Sequence, residues 1–394
     1  MRDGWVETPI GDVAQVLSGF AFKSELFNKS EGIPLIRIRD LPKRDSTEAL
    51  YSGSYEDRYV VKKGDFLIGM DGEFHCYEWN GPDALLNQRV CRIQDFKIGR
   101  VVPRYIYFAV NQYLDKIEQD TGYTTVKHIS AKQVLGITIP LPPLPEQKRI
   151  VDLISSVDSY IEALEQQIGS VRSASDAHLE KIVSAFSDDW WEVTLGEVLE
   201  ISRGGSPRPI QEYLTDSEDG INWVKIADAT RSEKYIYSTL QKIKREGISR
   251  SREVFAGDFI LSNSMSFGRP YIMRTDGCIH DGWLLLSKVS SNFDEDFLYN
   301  LLNSDYVQRQ FESLAAGSGV RNLNIEVVKK VKVKIPTIHV QTELASVINE
   351  FDNFIIKLTK QLHSGLNLRN ALLSDLLSGE HQIPESYDKV MGAA

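Results

Sequence analysis

Cysteine is scarce in this 394-residue chain: Cys76, Cys91 and Cys278 stand apart, with no CxxC pair. That excludes a disulfide framework or zinc ribbon and fits a reducing compartment. His75 beside Cys76 is half a ligand pair with no second pair at ligand spacing, so no metal site is expected. Phosphate-cradling and nucleophile motifs are missing as well. The sequence contains no G-x-x-x-x-G-K-[ST], no G-x-G-x-x-G, no G-x-S-x-G and no Asn-Pro-Pro-aromatic string of the kind adenine methyltransferases use. No catalytic constellation remains. No run approaches the ~18 apolar residues of a membrane span, and MRDGWVETPIGDV has no apolar signal core, so a soluble, unexported, cytoplasmic protein is expected. Positive charge is in deficit, with a net −10.

What is present begins with one long amphipathic stretch, Leu141 to Phe186. Pro140, Pro142, Pro143 and Pro145 disfavour helix upstream, which places the start near Pro145, with Glu146 at the positive helix end. Ile150, Val157, Leu164 and Val171 recur every seventh residue, interleaved with Ile154, Ile161 and Ile168. This is the spacing of a coiled-coil seam. It weakens at Ser175 and His178 and resumes at Ile182. A rod of roughly 60 Å at 1.5 Å per residue needs a partner helix.

KIPTIHVQTELASVINEFDNFIIKLTKQL supplies one. Leu344, Ile348, Phe351, Ile355, Leu358 and Leu362 match Ile150, Ile154, Val157, Ile161, Leu164 and Ile168 at one constant offset of 194. The repeated unit is far longer than a solenoid period of about 20 to 50 residues, so it is a domain plus a helix, present twice. The expected fold is α/β: two duplicated α/β domains separated by two long helices pairing as an antiparallel coiled coil. The boundaries are residues 1–140, a first domain; 141–186, the central helix; 187–336, a second domain; 337–380, the C-terminal helix; and 381–394, a tail.

Within the blocks the counterparts recur in order. GIPLIRIRD (Gly32 to Asp40) and GINWVKIAD (Gly220 to Asp228) read as strands with one polar face. KKGDFLIGMDG and FAGDFILSNSMSFGR each give a Gly-Asp turn, an apolar strand and a polar loop. LLNQRVCRI stands opposite IHDGWLLLS; PRYIYFAVNQYL and DEDFLYNLLNSDYV read as helices; and each block closes on a glycine loop and an Ile-Pro strand. The 42% apolar content suffices for two cores.

Acid is concentrated on the helical segments: 141–189 carry a net −5 and 337–394 a net −3, leaving −2 for the two blocks. The blocks can therefore meet phosphates locally. The DNA-contact candidates are loop residues: Lys23, Arg37, Arg39, Arg89, Thr124, Thr125 and Lys127 in the first block; Arg203, Ser206, Arg208, Lys225, Asn263, Ser264, Arg269, Arg321 and Asn322 in the second. Arg reads guanine and Asn adenine in the major groove, while Lys, Ser and Thr hold phosphates. A basic residue in a polar loop is ordinarily just solvated, so each candidate alone is weak. Lys329, Lys330, Lys332 and Lys334 read as the wet face of an edge strand. Glu146-Gln147-Lys148 has the E-x-K spacing of a Mg²⁺ nuclease, but it opens a helix after prolines, and a solvated first turn is the expectation.

The whole plan, with helix starts like IPLPPLPEQKRI and strand turns like KKGDFLI and AGDFILS, resembles the specificity subunit of type I restriction-modification enzymes over nearly the full chain. The resemblance implies two target-recognition domains, each reading one half of a bipartite, asymmetric double-stranded DNA site, and helices that dock two modification subunits. Restriction subunits, the ATP-dependent translocase and nuclease, would join them. S-adenosylmethionine, ATP and Mg would belong to these partners, with none held by this chain. One departure is that KIPTIHVQTEL lacks the extra prolines and the Glu-Gln-Lys, so that end would dock differently. Gly365 and Arg369 also interrupt its seam. A non-catalytic coiled-coil scaffold without sequence specificity stays open as the alternative, separable by a pull-down with and without DNA. A restriction or modification enzyme acting alone is a third class, which a methylation assay on the purified chain separates.

Overall fold

The computed structural model of the chain describes residues 4–120, 127–184, 190–232, 234–263, 267–287, 289, 292–316 and 322–391. It divides into two compact units, Met1–Ala163 with Leu362–Ala394, and Leu164–Gln361. No described helix is long and apolar enough to cross a membrane.

The two units repeat one topology, with one strand added in the second. In each, a two-stranded antiparallel pair closes the block: Val6–Pro9 with Thr138–Leu141 in the first, Trp191–Thr194 with Lys332–Ile335 in the second. A second sheet has the order Gln15–Ser18, Val90–Gln94, Phe66–Gly69, Cys76–Glu78 in the first unit. Its counterpart runs Glu200–Arg203, Trp283–Ser287, Phe259–Ser262, Pro270–Met273, with Tyr235–Ile236 added as a fifth, parallel strand. A third sheet of five short strands contains one parallel pair in each unit, Ile33–Ile36 beside Ala84–Leu86 and Ile221–Val224 beside Gly277–Ile279. The β-branched and aromatic residues of these runs are what a pleated, two-sided core selects.

Local chemistry departs from the sequence reading in three places. GIPLIRIRD is a strand only to Ile36; a 3₁₀ helix follows over Ile38–Lys43, so Arg37 and Arg39 do not share a strand face. The carboxylate of buried Asp40 accepts from the Arg37 backbone N–H at 3.1 Å and ends the strand there. Asp228 does the same to Lys225 at 3.0 Å. DEDFLYNLLNSDYV forms two helices, Glu295–Asn303 and Asp305–Ala316, because the Ser304 hydroxyl turns back on Leu301 and accepts from Val307 N–H. Lys329 ends a short helix, Ile325–Lys329, and Lys330 caps it; only Lys332 and Lys334 lie on the strand.

The long helices span Leu144–Ser184 and Ile338–Ser378, 41 residues each. In the first unit Ile150 and Ile154 share a core with Leu376 and Leu377, and Ile161 lies against Gly365. In the second, the His178 and Phe351 rings lie 6.1 Å apart in a tilted pair, and Leu179 and Ile182 line one small cavity with Leu344, Ala345 and Ile348. The helices are therefore antiparallel within each unit, and the start of one meets the end of the other. The residues matched by the 194 offset are thus not each other's packing partners: Ile150 and Ile154 meet a segment beyond Leu362. Leu164, Ile168 and Leu358 are buried; Val157, Ile355 and Leu362 are half-buried.

The Glu-Gln-Lys string is not a solvated turn. Glu146 is buried and accepts the Trp5 indole N–H at 3.2 Å, and Gln147 is fully buried. Gln147 Nε2 donates to the carbonyls of Arg100 and Pro142, while its Oε1 accepts from Val102 N–H at 2.8 Å. Gln341, at the same offset of 194, repeats this bond for bond: Nε2 donates to Asn292 and Pro336 carbonyls, and Oε1 accepts from Asp294 N–H at 2.9 Å. Each long helix is pinned to its own domain by one buried amide. The second helix start therefore keeps this anchor without the extra prolines. The tail also folds onto the first unit, where Ile383 and Tyr387 join the core and Arg149 pairs with Asp388 at 3.0 Å.

Candidate nucleic-acid interface

Three loops meet at the same place in each unit. In the first, Met70 N–H donates to the Arg89 carbonyl and its own carbonyl accepts from Ile129 N–H. In the second, Asn263 N–H donates to Gly282 and its carbonyl accepts from Leu323 N–H. A fourth segment joins through a glycine pinch. A Cβ on Gly19 would sit 2.0 Å from the Asn87 carbonyl oxygen, and one on Gly204 2.0 Å from that of His280, so only glycine fits either position.

On this shared frame the side chains differ. In the first unit, Asp71 forms an ion pair with Arg89 at 3.5 Å and lies 2.6 Å from His128 Nδ1. Arg89 holds φ at +71°, uncommon for a non-glycine residue, and stands more than half exposed. Lys127 is nearby in chain but pairs with Glu118 at 2.9 Å, and this bond holds the Glu118 carboxyl below its ordinary range. In the second unit, Asp281 is the centre. Its Oδ1 accepts from Ser206 Oγ at 2.7 Å, Arg208 lies 3.6 Å from Oδ2, and its carbonyl oxygen accepts from Arg203 Nε and Asn263 Nδ2. The hydrogen bond from the Ser206 hydroxyl holds the Asp281 carboxyl below its ordinary range. His280 is pushed down by burial and accepts Gly282 N–H on Nδ1 at 2.9 Å.

The sequence candidates sort accordingly. The structure brings Arg203, Ser206 and Arg208 together at Asp281, and Ser206, Arg208 and Lys225 line one apolar groove of about 1460 Å³ together with Trp223. Among the described residues, no carboxylate lines that groove. Asn263, an adenine-contact candidate by residue type, is 2% exposed and its amide is spent on the Asp281 carbonyl, so its work is to hold the loops together. Arg37 is tied to Asp40 at 3.0 Å; with exposed Arg39 it lines a separate cleft of about 300 Å³. Lys23 is exposed just beyond the Gly19 pinch. Exposed Arg269 lies over the Tyr271 ring at 5.3 Å. Asn322 is half-buried, and its Oδ1 has no hydrogen-bond partner among the described residues. Thr124, Thr125, Ser264 and Arg321 lie outside the described residues. Asp71 and Asp281 organise the clusters, and being acidic they carry no signal in a sequence read for phosphate contacts. Among the described residues, no group of three or more His, Cys, Asp or Glu could hold a metal ion.

Known proteins are similar to this chain in sequence and in fold. The profile described as "Type I restriction modification DNA specificity domain" matches twice, at residues 2–171 and 187–368. The chain is 29% identical to the type I restriction enzyme EcoBI specificity subunit of Escherichia coli, covering 96% of this chain and 87% of that one. It is 22% identical to the MjaVIII specificity subunit of Methanocaldococcus jannaschii, covering 97% and 94%. Two solved structures share the fold: the type I S subunit from M. genitalium, at 16% identity, TM-score 0.55 and 95% and 96% coverage; and a chain described under complex assembly and conformational transition of the type I R-M system, at 16%, 0.61, and 96% and 98%. Two matched domains, together spanning most of the sequence, place this chain in the family of type I restriction-modification DNA specificity proteins.

Proposed function

We propose that the chain is the DNA-reading, non-catalytic subunit of a type I restriction-modification complex, in which each unit reads one half of a bipartite, asymmetric duplex site. The carrying observation is that one loop frame recurs in both units with different side chains upon it: Asp71, Arg89 and His128 in one, Arg203, Ser206, Arg208 and Asp281 in the other. Equal frames present two readers to one duplex, and unequal side chains select different base edges. The paired helices dock two modification subunits, and restriction subunits join that assembly in the cytoplasm. S-adenosylmethionine, ATP and Mg act on those partners.

The experiment is methylation mapping. The purified chain alone is expected to methylate nothing, and with modification subunits and S-adenosylmethionine to direct adenine methylation to one split sequence. Exchanging residues 187–336 for another family member's block is expected to change one half-site only. Methyl transfer by the chain alone, or a change in both halves, would overturn the reading.

A further inference from the structure

Asp281 plays two separable parts. Its backbone carbonyl takes the Arg203 and Asn263 bonds, at 3.2 and 2.8 Å, which tie the loops together. Its carboxylate, half exposed, faces outward toward Arg208 at 3.6 Å, and Ser206 fixes it from the other side at 2.7 Å. Arg208 is 79% exposed in its side chain, and among the described residues its ion-pair partner is this carboxylate. A long exposed arginine samples many rotamers, whereas reading guanine O6 and N7 requires one planar pose. A carboxylate on a phosphate-facing surface otherwise works against binding, because it repels the backbone that supplies most non-specific affinity.

We propose that the Asp281 carboxylate is a positioning group for base discrimination: held by Ser206, it orients Arg208 toward a G·C pair in the half-site read by the second unit. This rests on the DNA-reading function proposed above. Asp281→Asn keeps the backbone carbonyl and an oxygen for Ser206, so the loops stay tied while the charge facing Arg208 is lost.

The test uses the full chain assembled with its modification subunits and a random-sequence duplex pool, with enriched sequences counted. Non-specific affinity is measured on poly(dI-dC), and thermal unfolding is followed in parallel. For Asp281→Asn the expected result is about a tenfold loss of discrimination at one G·C position of one half-site. The other half-site and the unfolding temperature stay unchanged, and poly(dI-dC) affinity is equal or higher. Asp281→Glu restores part of the discrimination, and Asp281→Asn adds nothing once Arg208→Ala is present. Unchanged discrimination in both half-sites overturns the proposal. So does a fall in unfolding temperature with loss of both half-sites, which marks a purely structural residue. An Asp281→Asn effect that persists in the Arg208→Ala background assigns the reading to the carboxylate itself and also overturns it. If the unsubstituted complex enriches no sequence, the DNA-reading function fails and the proposal with it.

Discussion

Arg369 donates its Nε–H to the carboxylate of Asp158 across the helix pair of the first unit, with the two side chains only 25% and 20% exposed. One turn away, Gly365 lets Ile161 approach so closely that an added Cβ would lie 3.3 Å from Ile161 Cγ1. The two residues that interrupt the apolar seam thus mark where these helices close. Asp158→Ala leaves a partly buried guanidinium without its partner and is expected to cost about 1 to 2 kcal/mol, discounted for its remaining exposure. Gly365→Leu forces a large side chain into the same contact and should cost about 1 to 3 kcal/mol, whereas Gly365→Ala should be near neutral because helix propensity offsets the crowding. Urea unfolding of the three variants checks the order.

The duplicated glutamines give a local test. Gln147→Leu removes the partner of the buried Pro142 carbonyl and of the part-buried Val102 N–H and Arg100 carbonyl, at about 1 to 3 kcal/mol in total. Its effect should stay in the first unit, and that of Gln341→Leu in the second. Hydrogen exchange at Val102 and Asp294 reads this directly: each variant should accelerate one amide and spare the other.

Antiparallel pairing sets a rule for helix length. Four residues added after Ile168 lengthen one helix by about 6 Å, but the opposite helix has no matching turn, and packing on one side must slip. The single insertion is expected to lower stability and sequence-specific binding. Four residues added after Lys357 as well should restore packing and lengthen the unspecified spacer of the methylated site by one or two base pairs, at about 3.4 Å each, with both half-sites kept. A methylated site that kept its spacing with both insertions would show that another element sets the distance. Ile161→Asp buries an unpaired charge in the seam and should abolish site-specific binding.

Stability should fall between pH 7 and pH 5.5. Burial lowers the pKa of both His280 and His75 below 6.5, so the unfolded chain binds protons more readily than the folded one. Their contribution is whole above the unfolded value and is lost as pH drops through it toward the lowered folded values. His280 must also stay unprotonated on Nδ1 to accept from Gly282. His280→Asn should flatten the pH dependence of urea midpoints over that range, and an unchanged slope would count against the assignment.

The sequence by itself determined the duplication, the two long helices and the strands of each block, because hydrophobic period and turn chemistry are local and survive being read one residue at a time. The 194 offset even falls on Gln147 and Gln341, though nothing in the sequence says that a polar residue in a helical first turn will be buried. Tertiary structure alone decided which ends of the helices meet, since residues matched by duplication are related by the repeat and not by contact. It also decided which polar loop residues are free to face a ligand. Asn263 and Arg208 look equally exposed in a loop-rich sequence, yet one spends its amide on a backbone carbonyl and the other extends into solvent. That difference depends on loops brought together from positions up to 78 residues apart in the chain. Such hydrogen-bond partnerships exist only once the sheets have formed.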